Sequence, residues 1–160
     1  MIGIMADSHD NLTRIKQAVR FFRANECDLV VHAGDFVAPF SAIKLRDLNC
    51  PIRAVFGNCD GEKQGLQTAF GPLGMIKEAP FAFEHLGLRF LLVHMNSSLE
   101  SCLAGGGFDV LIFGHTHKPE IRTEKKTLLI NPGETGGWVT GRSTVALLDP
   151  ANLTAEIVFL

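Results

Sequence analysis

The chain is organised around residues 109–117, which read Asp109-Val110-Leu111-Ile112-Phe113-Gly114-His115-Thr116-His117. The apolar part of this stretch predicts a short buried strand. Gly114 then gives the backbone freedom to turn sharply, so that His115 and His117 can direct both imidazoles at one place. A histidine pair of this kind also occurs in ordinary surface loops. Its meaning therefore depends on the residues that end the other strands.

Length and composition bound the class of protein. The chain has 160 residues, of which 46% are hydrophobic and 20% are charged. These values predict one globular domain over residues 1–160 with a substantial core. A formal charge of −2, from 15 basic and 17 acidic residues, argues against a strong electrostatic footprint for nucleic acid.

The sequence also indicates where the protein works. No apolar run approaches the ~20 residues of a membrane span, and the first residues lack the pattern of a signal peptide. We therefore expect a cytoplasmic protein without a membrane partner. The four cysteines show no metal-type or redox-type pair spacing, which favours free thiols over disulfides in that compartment.

The N-terminal part of the chain alternates between strand and helix patterns. We predict strands over residues 2–6, 28–33 and 52–56, with a helix capped by Asp10 or Asn11 between the first two. A second helix is predicted to start at Pro39 and to stop at Asn49, with the apolar members Phe40, Ile43, Leu45 and Leu48. This β-α-β-α-β series implies a mainly parallel sheet with right-handed crossovers.

The rest of the chain is richer in strands. We predict a short helix over 62–70, a turn-rich connector over 71–74, a hairpin of 81–84 with 88–93, and a helix over 97–103. Strand patterns follow at 121–123, 127–130, 143–148 and 153–159. Together these elements predict two packed sheets with helices outside them.

Five of the predicted strands end in polar residues. In chain order the ends are Asp7-Ser8-His9, Gly34-Asp35, Gly57-Asn58, His94 and Gly114-His115-Thr116-His117. Ligands of open α/β sheets bind outside the carboxyl ends of the strands, where these groups would meet. Two carboxylates, one amide and four imidazoles are too many for one tetrahedral ion. They suit two divalent metal ions that share one carboxylate and keep enough positive charge to attract a phosphodiester.

The same five motifs, in the same order, resemble those of the calcineurin-like metallophosphoesterase superfamily. The short chain and the turn Asn131-Pro132-Gly133-Glu134 are similar to its small YfcE-type phosphodiesterase branch. The resemblance covers nearly the whole chain. It implies an α/β fold, a four-layer α/β/β/α sandwich of two mixed sheets flanked by helices. It also implies that a metal-bridging hydroxide attacks the phosphorus of a small phosphodiester.

The resemblance further implies a role for each motif residue. Its metal ligands would be two sets of three with one bridging carboxylate: Asp7, His9 and His117; Asn58, His94 and His115; and Asp35 between them. The residues expected to act in catalysis are Asp35, Asn58 and His94. Nitrogen and oxygen ligands admit several divalent transition metals. Manganese is the first expectation, and nickel, zinc, iron and cobalt stay open.

Two positions depart from the broader pattern of the superfamily. Cys59 stands where many members carry a histidine that protonates the leaving group, and a thiol is a poorer proton donor than imidazolium. We therefore expect substrates with good leaving groups, or a proton supplied by water. Met95-Asn96 replaces a common Gly-His pair. The candidate substrate contacts are Asn58, Cys59 and Asn96.

Two other functions are kept as alternatives. The first is a protein-binding scaffold on the same fold, as in the retromer subunit that resembles this branch and departs at ligand positions. The second is a phosphomonoesterase, which Cys59 disfavours. A homodimer through the strand-rich C-terminal part is a further expectation.

Four other features receive plainer interpretations. His32, inside a predicted strand, is expected to be structural or to support the site from behind. His85 is expected in a hairpin turn, and Asn131-Pro132-Gly133 is expected either to form a turn or to lie near the site. Trp138, the only tryptophan, is expected to pack in the interior, with an interface or a wall of the substrate site as the alternatives.

Overall fold

The fold is built from two mixed β-sheets. The structure, a computed structural model, describes residues 1–160 apart from the side chain of Ser98. In chain order the strands are β1 (Ile2–Met5), β2 (Leu29–His32), β3 (Ile52–Val55), β4 (Gly74–Lys77), β5 (Phe81–His85), β6 (Leu88–Leu92), β7 (Val110–Ile112), β8 (Glu120–Glu124), β9 (Thr127–Asn131), β10 (Thr144–Asp149) and β11 (Thr154–Phe159). The first sheet has the order β11-β10-β1-β2-β3-β4, and the second has the order β5-β6-β7-β9-β8.

The helices lie on the outer faces of the sheets. They are α1 (Leu12–Ala24), α2 (Pro39–Ile43), α3 (Lys63–Phe70) and α4 (Leu99–Gly105). A one-turn 3₁₀ helix, Lys44–Asp47, follows α2, and another, Asn96–Ser98, precedes α4. None of the helices in the described part of the chain combines the length and the apolar composition that crossing a membrane requires.

The start of α1 follows from its capping residue. Asn11 Oδ1 accepts a hydrogen bond from Arg14 N at 3.3 Å, which satisfies a backbone donor of the first turn. The other predicted cap, Asp10, instead accepts a hydrogen bond from Ala38 N at 3.1 Å and so joins two loops. Residues three and four apart then form the buried stripe of the helix, Ile15, Val19 and Phe22.

Three apolar clusters separate four layers. The first fills the space between α1, α2, α3 and the outer face of the first sheet, with Phe22 and Phe70 among its largest members. The second lies between the two sheets, and the third lies under α4. The alternation along β7 shows the layering, since Val110 and Ile112 face the first sheet whereas Leu111 faces α4. The predicted four-layer α/β/β/α sandwich is confirmed.

Parallel pairing places the predicted strand ends together. In the first sheet β1, β2, β3 and β4 run parallel, and in the second sheet β6, β7 and β9 do so. The pairing continues into the loops, where Asp7 N donates to Gly34 O at 3.0 Å and Gly114 N donates to His94 O at 3.1 Å. The loops after β1, β2, β3, β6 and β7 therefore converge.

Two sequence-based element predictions differ from the structure. The connector predicted over 71–74 continues directly into β4, an edge strand in which only Ile76 is buried, so its apolar pattern is too short to recognise. The helix from Pro39 ends at Ile43 and continues as a 3₁₀ turn. Its buried face is formed by Ser41, Ala42 and Leu45, whereas the expected apolar members Phe40 and Ile43 are 49% and 40% exposed.

Candidate metal centre

The five strand ends bring the predicted carboxylates and three of the four predicted imidazoles into one cluster. His9 Nε2 and His94 Nε2 lie 3.6 and 3.5 Å from Asp35 Oδ2. His117 Nε2 lies 3.6 Å from Asp7 Oδ1. Both aspartates are buried, with exposed fractions of 0% and 2%. The cluster therefore concentrates negative charge and nitrogen donors at one edge of the two sheets.

The spacing of these atoms suits metal ligation better than direct hydrogen bonding. A separation of 3.5 to 3.6 Å is long for a hydrogen bond. Ligand atoms about 2.0–2.2 Å from one ion, by contrast, stand roughly 3.0–3.5 Å from one another. Three groups of side chains offer ligand atoms that all lie within 4.8 Å: Asp7, His9 and His117; Asp7, Asp35 and His94; and His9, Asp35 and Cys59.

His9 gives the clearest sign that a cation belongs in the cluster. Its Nε2 atom is buried, and within the described part of the chain it has no hydrogen-bond partner. Burying a polar nitrogen without a partner costs free energy. A metal ion bound to Nε2 would remove that cost. The donor set of carboxylate oxygens and imidazole nitrogens fits divalent transition metals.

Unusual backbone conformations aim the site residues. Asp7, His9, Asp35, His115 and His117 have φ values of 50°, 40°, 61°, 70° and 60°. For residues with a Cβ this left-handed region is strained, and it persists at functional sites where the surrounding structure enforces it. We predicted that Gly114 makes the sharp backbone turn, and this is wrong. The residues with positive φ are His115 and His117.

Gly114 and Gly57 serve instead to let two carboxylates approach the backbone. A Cβ atom on Gly114 would lie 2.8 Å from Asp7 Oδ2, and one on Gly57 would overlap Asp35 Oδ1. Both aspartates also receive backbone hydrogen bonds. His115 N donates to Asp7 Oδ2 at 3.0 Å, and Cys59 N donates to Asp35 Oδ1 at 2.8 Å. The carboxylates are thus fixed before any ligand binds.

The surroundings shift the pKa values of the two aspartates in opposite directions. Burial raises the pKa of Asp7 to about 7, and nearby histidines offset only part of that effect. Burial also acts to raise the pKa of Asp35, but hydrogen bonds from His94 and Cys59 N outweigh it and hold the pKa below its usual value. Asp35 is therefore the more firmly ionised of the pair, which is compatible with its predicted role as the bridging ligand.

His94 is oriented by partners on both ring nitrogens. Its Nδ1 lies 2.7 Å from Ala33 O, and its Nε2 lies 2.9 Å from Asn58 Oδ1. Ala33 O can only accept, so Nδ1 carries a proton, and a protonated Nε2 would donate to Asn58 Oδ1. Burial acts to lower the pKa of His94, but Asp35 and Ala33 O hold it above its usual value. A metal ion at Nε2 would displace one proton and leave the bond to Ala33 in place.

Glu134 supports His117 from behind and was not predicted as a site residue. His117 Nδ1 lies 3.0 Å from Glu134 Oε2, which places the proton on Nδ1 and leaves Nε2 free to bind a metal. The carboxylate also accepts hydrogen bonds from Val139 N, Thr140 N and Thr140 Oγ1. Although burial opposes it, these donors lower the pKa of Glu134 to about 2.

Asp60 is a second carboxylate near the cluster that was not predicted as a site residue. Its Oδ1 accepts hydrogen bonds from Phe36 N and Val37 N, both at 2.7 Å. Its Oδ2 accepts from Asp35 N at 3.0 Å and from Gly57 N at 2.7 Å. Asp60 therefore ties the loop after β2 to the loop after β3. Burial raises its pKa despite these donors.

The other predicted site residues lie at the edge of the cluster. Asn58 and Cys59 are exposed, and Asn58 Nδ2 donates to Cys59 Sγ at 3.3 Å. The ring of His115 stands edge-on to that of His94, with centroids 5.2 Å apart. Asn96 is exposed. The full ligand assignment stays a prediction.

Three of the plainer interpretations can be compared with the structure. His32 is buried and, as expected, supports the site from behind, because its Nε2 lies 3.1 Å from Ser8 Oγ. His85 ends β5 rather than lying in the turn, and its Nε2 is 2.7 Å from Asp28 Oδ1. Asn131 lies near the site, since its Nδ2 donates to Gly114 O at 3.1 Å and to Thr116 Oγ1 at 3.0 Å.

Trp138 is the clearest error among these predictions. Its side chain is 67% exposed and does not pack in the interior. The indole Nε1 donates to His9 O at 3.0 Å, so the ring stands at the rim of the cluster. The sequence could not reveal this position, because the two glycines before Trp138 allow several loop conformations.

Comparison with known proteins gives consistent matches. The profile of the calcineurin-like phosphoesterase superfamily domain matches residues 1–152. A protein named as a phosphodiesterase, from Methanocaldococcus jannaschii, is 37% identical over 92% of this chain and 92% of its own length. The solved structure of an archaeal phosphodiesterase superposes with a TM-score of 0.94 at 35% identity and covers 99% of both chains. The phosphoesterase YfcE from E. coli superposes with a TM-score of 0.69 at 19% identity over 98% of this chain and 97% of its own, which indicates a shared fold.

Proposed function

This chain belongs to the calcineurin-like phosphoesterase superfamily, and we propose that it is a phosphodiesterase, as two of its relatives are named, which hydrolyses a small phosphodiester with two divalent metal ions. One ion would be held by Asp7, His9 and His117, the other by Asn58, His94 and His115, with Asp35 between them. The chemistry that two ions held by these residues would supply is activation of a water molecule as the nucleophile and neutralisation of charge on the phosphate. Manganese is the metal we propose first.

The protein's own contribution is to fix the ligand atoms in advance. Ala33 O holds Nδ1 of His94, and Glu134 holds Nδ1 of His117, so that each Nε2 faces the cluster. Backbone donors hold both aspartates, as described above. Such preorganisation lowers the entropy cost of ordering the site when substrate binds. The exposed side chains Asn58, Cys59 and Asn96 are the proposed substrate contacts.

The observation that carries this proposal is the unpartnered Nε2 atom of His9 beside two buried carboxylates. A purely structural histidine would be paired, as His32 is through Ser8 and Gly34. Two relatives, at 37% and 35% identity, are named as phosphodiesterases, which favours hydrolysis over binding alone. The binding alternative is therefore placed second.

Protonation of the leaving group is the step for which the chain offers the weakest candidate, Cys59. Although the Cys59 side chain is largely exposed, partial desolvation of its thiol, then the neighbouring Asp35, raises the pKa to about 11. A thiol of that pKa is a poor donor to a departing alkoxide. We therefore propose a preference for diesters with good leaving groups over unactivated monoesters. The cytoplasmic location and the homodimer stay predictions.

Metal-stripped protein tests the proposal directly. We expect it to be inactive toward an activated aryl phosphodiester and to regain activity as Mn²⁺ is added, with saturation near two ions per chain. Asp35→Asn should lower the activity by more than about 100-fold and weaken binding of both ions.

The matched control is Asp10→Asn. Asp10 lies in the same group of loops, but its carboxylate contacts Ala38 N and none of the predicted ligands. We expect this variant to keep its metal content and its activity. Wild-type turnover in Asp35→Asn, or tight binding of two ions without any hydrolysis, would reject the proposed mechanism. The second result would favour the scaffold alternative.

A further inference from the structure

Trp138 presents an aromatic face beside the proposed metal centre. Its side chain is 67% exposed, whereas its Nε1–H group is already satisfied by His9 O at 3.0 Å. The hydrogen bond holds one edge of the indole against the residue whose Nε2 points into the cluster. A tryptophan with its polar group paired and its ring in solvent loses the benefit of burying a large apolar surface. The ring is thus available for a ligand.

The loop that carries Trp138 is fixed to the site on both sides. Before it, Gly136 N donates to Asp7 O at 3.0 Å, and Asn11 Nδ2 donates to Gly136 O at 2.7 Å. After it, Val139 N donates to the Glu134 carboxylate at 3.1 Å. The indole therefore does not hang on a free loop. Its distance from the cluster is set by the same contacts that fix Asp7 and His117.

We infer that Trp138 stacks on an aromatic ring of the substrate, so that the preferred substrates are phosphodiesters with a nucleobase or aryl group next to the cleaved phosphate. The inference rests on the proposed function, because it takes the phosphate to lie at the cluster. Stacking suits this position because every base has a π-face and needs no particular hydrogen-bond pattern. The preference is consequently for an aromatic ring and not for one base.

The chain contains one tryptophan and no tyrosine, so tryptophan fluorescence reports on Trp138 alone. We would titrate Mn²⁺-loaded protein with adenosine monophosphate and, separately, with ribose 5-phosphate. Both carry the same phosphate, but only the first carries a base. We expect saturable quenching by adenosine monophosphate and no quenching by ribose 5-phosphate, although both bind.

Calorimetric affinities of variants then separate stacking from loop structure. Trp138→Ala should weaken binding of adenosine monophosphate by about tenfold, within the range measured for base–aromatic stacking, and leave ribose 5-phosphate unchanged. Trp138→Phe, which keeps a ring but loses the bond to His9 O, should retain most of the preference. Val139→Ala is the matched control, since Val139 is 72% exposed on the same loop.

The outcomes distinguish this inference from the proposed function. Equal affinity of the wild type for both phosphates, or an unchanged ratio in Trp138→Ala, would overturn the stacking role while Mn²⁺-dependent diester hydrolysis stands. Failure of both phosphates to bind, together with absence of hydrolysis, would overturn both. A loss of affinity for both phosphates in Trp138→Ala would show that the residue acts through His9 and would also overturn the stacking role.

Discussion

Glu134 and Asp60 are both buried carboxylates beside the same cluster, yet they hold it in different ways. Glu134 contacts the ring of one predicted ligand, His117, as well as the backbone of its own loop. Asp60 contacts four backbone N–H groups on two loops and no predicted ligand side chain. Glu134 fixes the tautomer of His117, whereas Asp60 fixes the backbone path of the loops after β2 and β3.

Because of this difference, we expect Glu134 to affect mainly the affinity for metal and Asp60 to affect mainly the stability of the fold. Replacing Glu134 should change how well His117 binds a metal, because the imidazole loses the acceptor that fixes its proton. Replacing Asp60 should change whether the loops after β2 and β3 fold against each other. The two carboxylates also differ in ionisation, since the donors around Glu134 lower its pKa whereas burial raises that of Asp60.

The largest effect is expected for Asp60→Asn. An asparagine of the same size offers only one acceptor oxygen, so two of the four backbone donors lose their partner. Each buried unpaired donor costs about 1–3 kcal/mol, and we expect the free energy of unfolding to fall by about 3 kcal/mol in urea denaturation. Asp47→Asn, at an exposed position, is the control and should have little effect. Equal urea midpoints for Asp60→Asn and wild type would contradict the role given to Asp60.

Glu134→Gln should act mainly on metal binding. If the amide oxygen keeps its bonds to Thr140, the amide NH₂ faces His117 Nδ1 and favours the tautomer that carries its proton on Nε2. Metal affinity should then fall by about 10–100-fold, as measured by competition with a chelator. Unchanged affinity in this variant would mean that Glu134, like Asp60, serves only the backbone.

Acid titration should distinguish the two carboxylates further. The pKa of Glu134 falls from 4.5 to about 2 in the folded protein. Its ionised form therefore stabilises the fold above about pH 4.5, and that contribution is lost as the pH falls from 4.5 toward 2. The difference in unfolding free energy between wild type and Glu134→Gln should shrink across this window. A constant difference would contradict the lowered pKa.

The smallest effect is expected for Cys59→Ala. It is the backbone N–H of Cys59 that donates to Asp35, and alanine keeps that group. With its pKa raised to about 11, the thiol is protonated at neutral pH. Turnover of an activated aryl diester, which needs no proton donor, should change by less than about threefold. A loss of tenfold or more would show that the thiol binds a metal ion or supplies more than a minor contact to the substrate.

Most of the fold and much of the cluster could be predicted from the sequence. Short apolar strands followed by Asp, Asn or His are visible as local patterns, and parallel pairing brings their ends together without further information. The placement of Asp7, Asp35 and His94 follows from that reasoning. The strand β4 could not be predicted, because an edge strand with a single buried residue shows no alternation of apolar and polar residues.

The supporting residues could not be predicted in the same way. Asp60 and Glu134 act through backbone N–H groups, which every residue type except proline possesses, so their partners leave no trace in the sequence. Their positions in the sequence were the one available signal. Asp60 follows Gly57-Asn58-Cys59 and Glu134 follows Asn131-Pro132-Gly133, two segments that the sequence already connected with the site. The exposed position of Trp138 likewise depends on loop contacts made after folding.

The place of β1 in the first sheet has a consequence for folding kinetics. Ile2 pairs with Leu29 on one side and with Leu148 on the other, at almost the opposite end of the sequence. Closing so long a loop is entropically costly, and proteins rich in such contacts fold slowly. Asp7 directly follows β1, and its anchor His115 N is also distant in sequence. The ability to bind metal should therefore emerge only with the final, global phase of refolding, and partly folded chains should lack it.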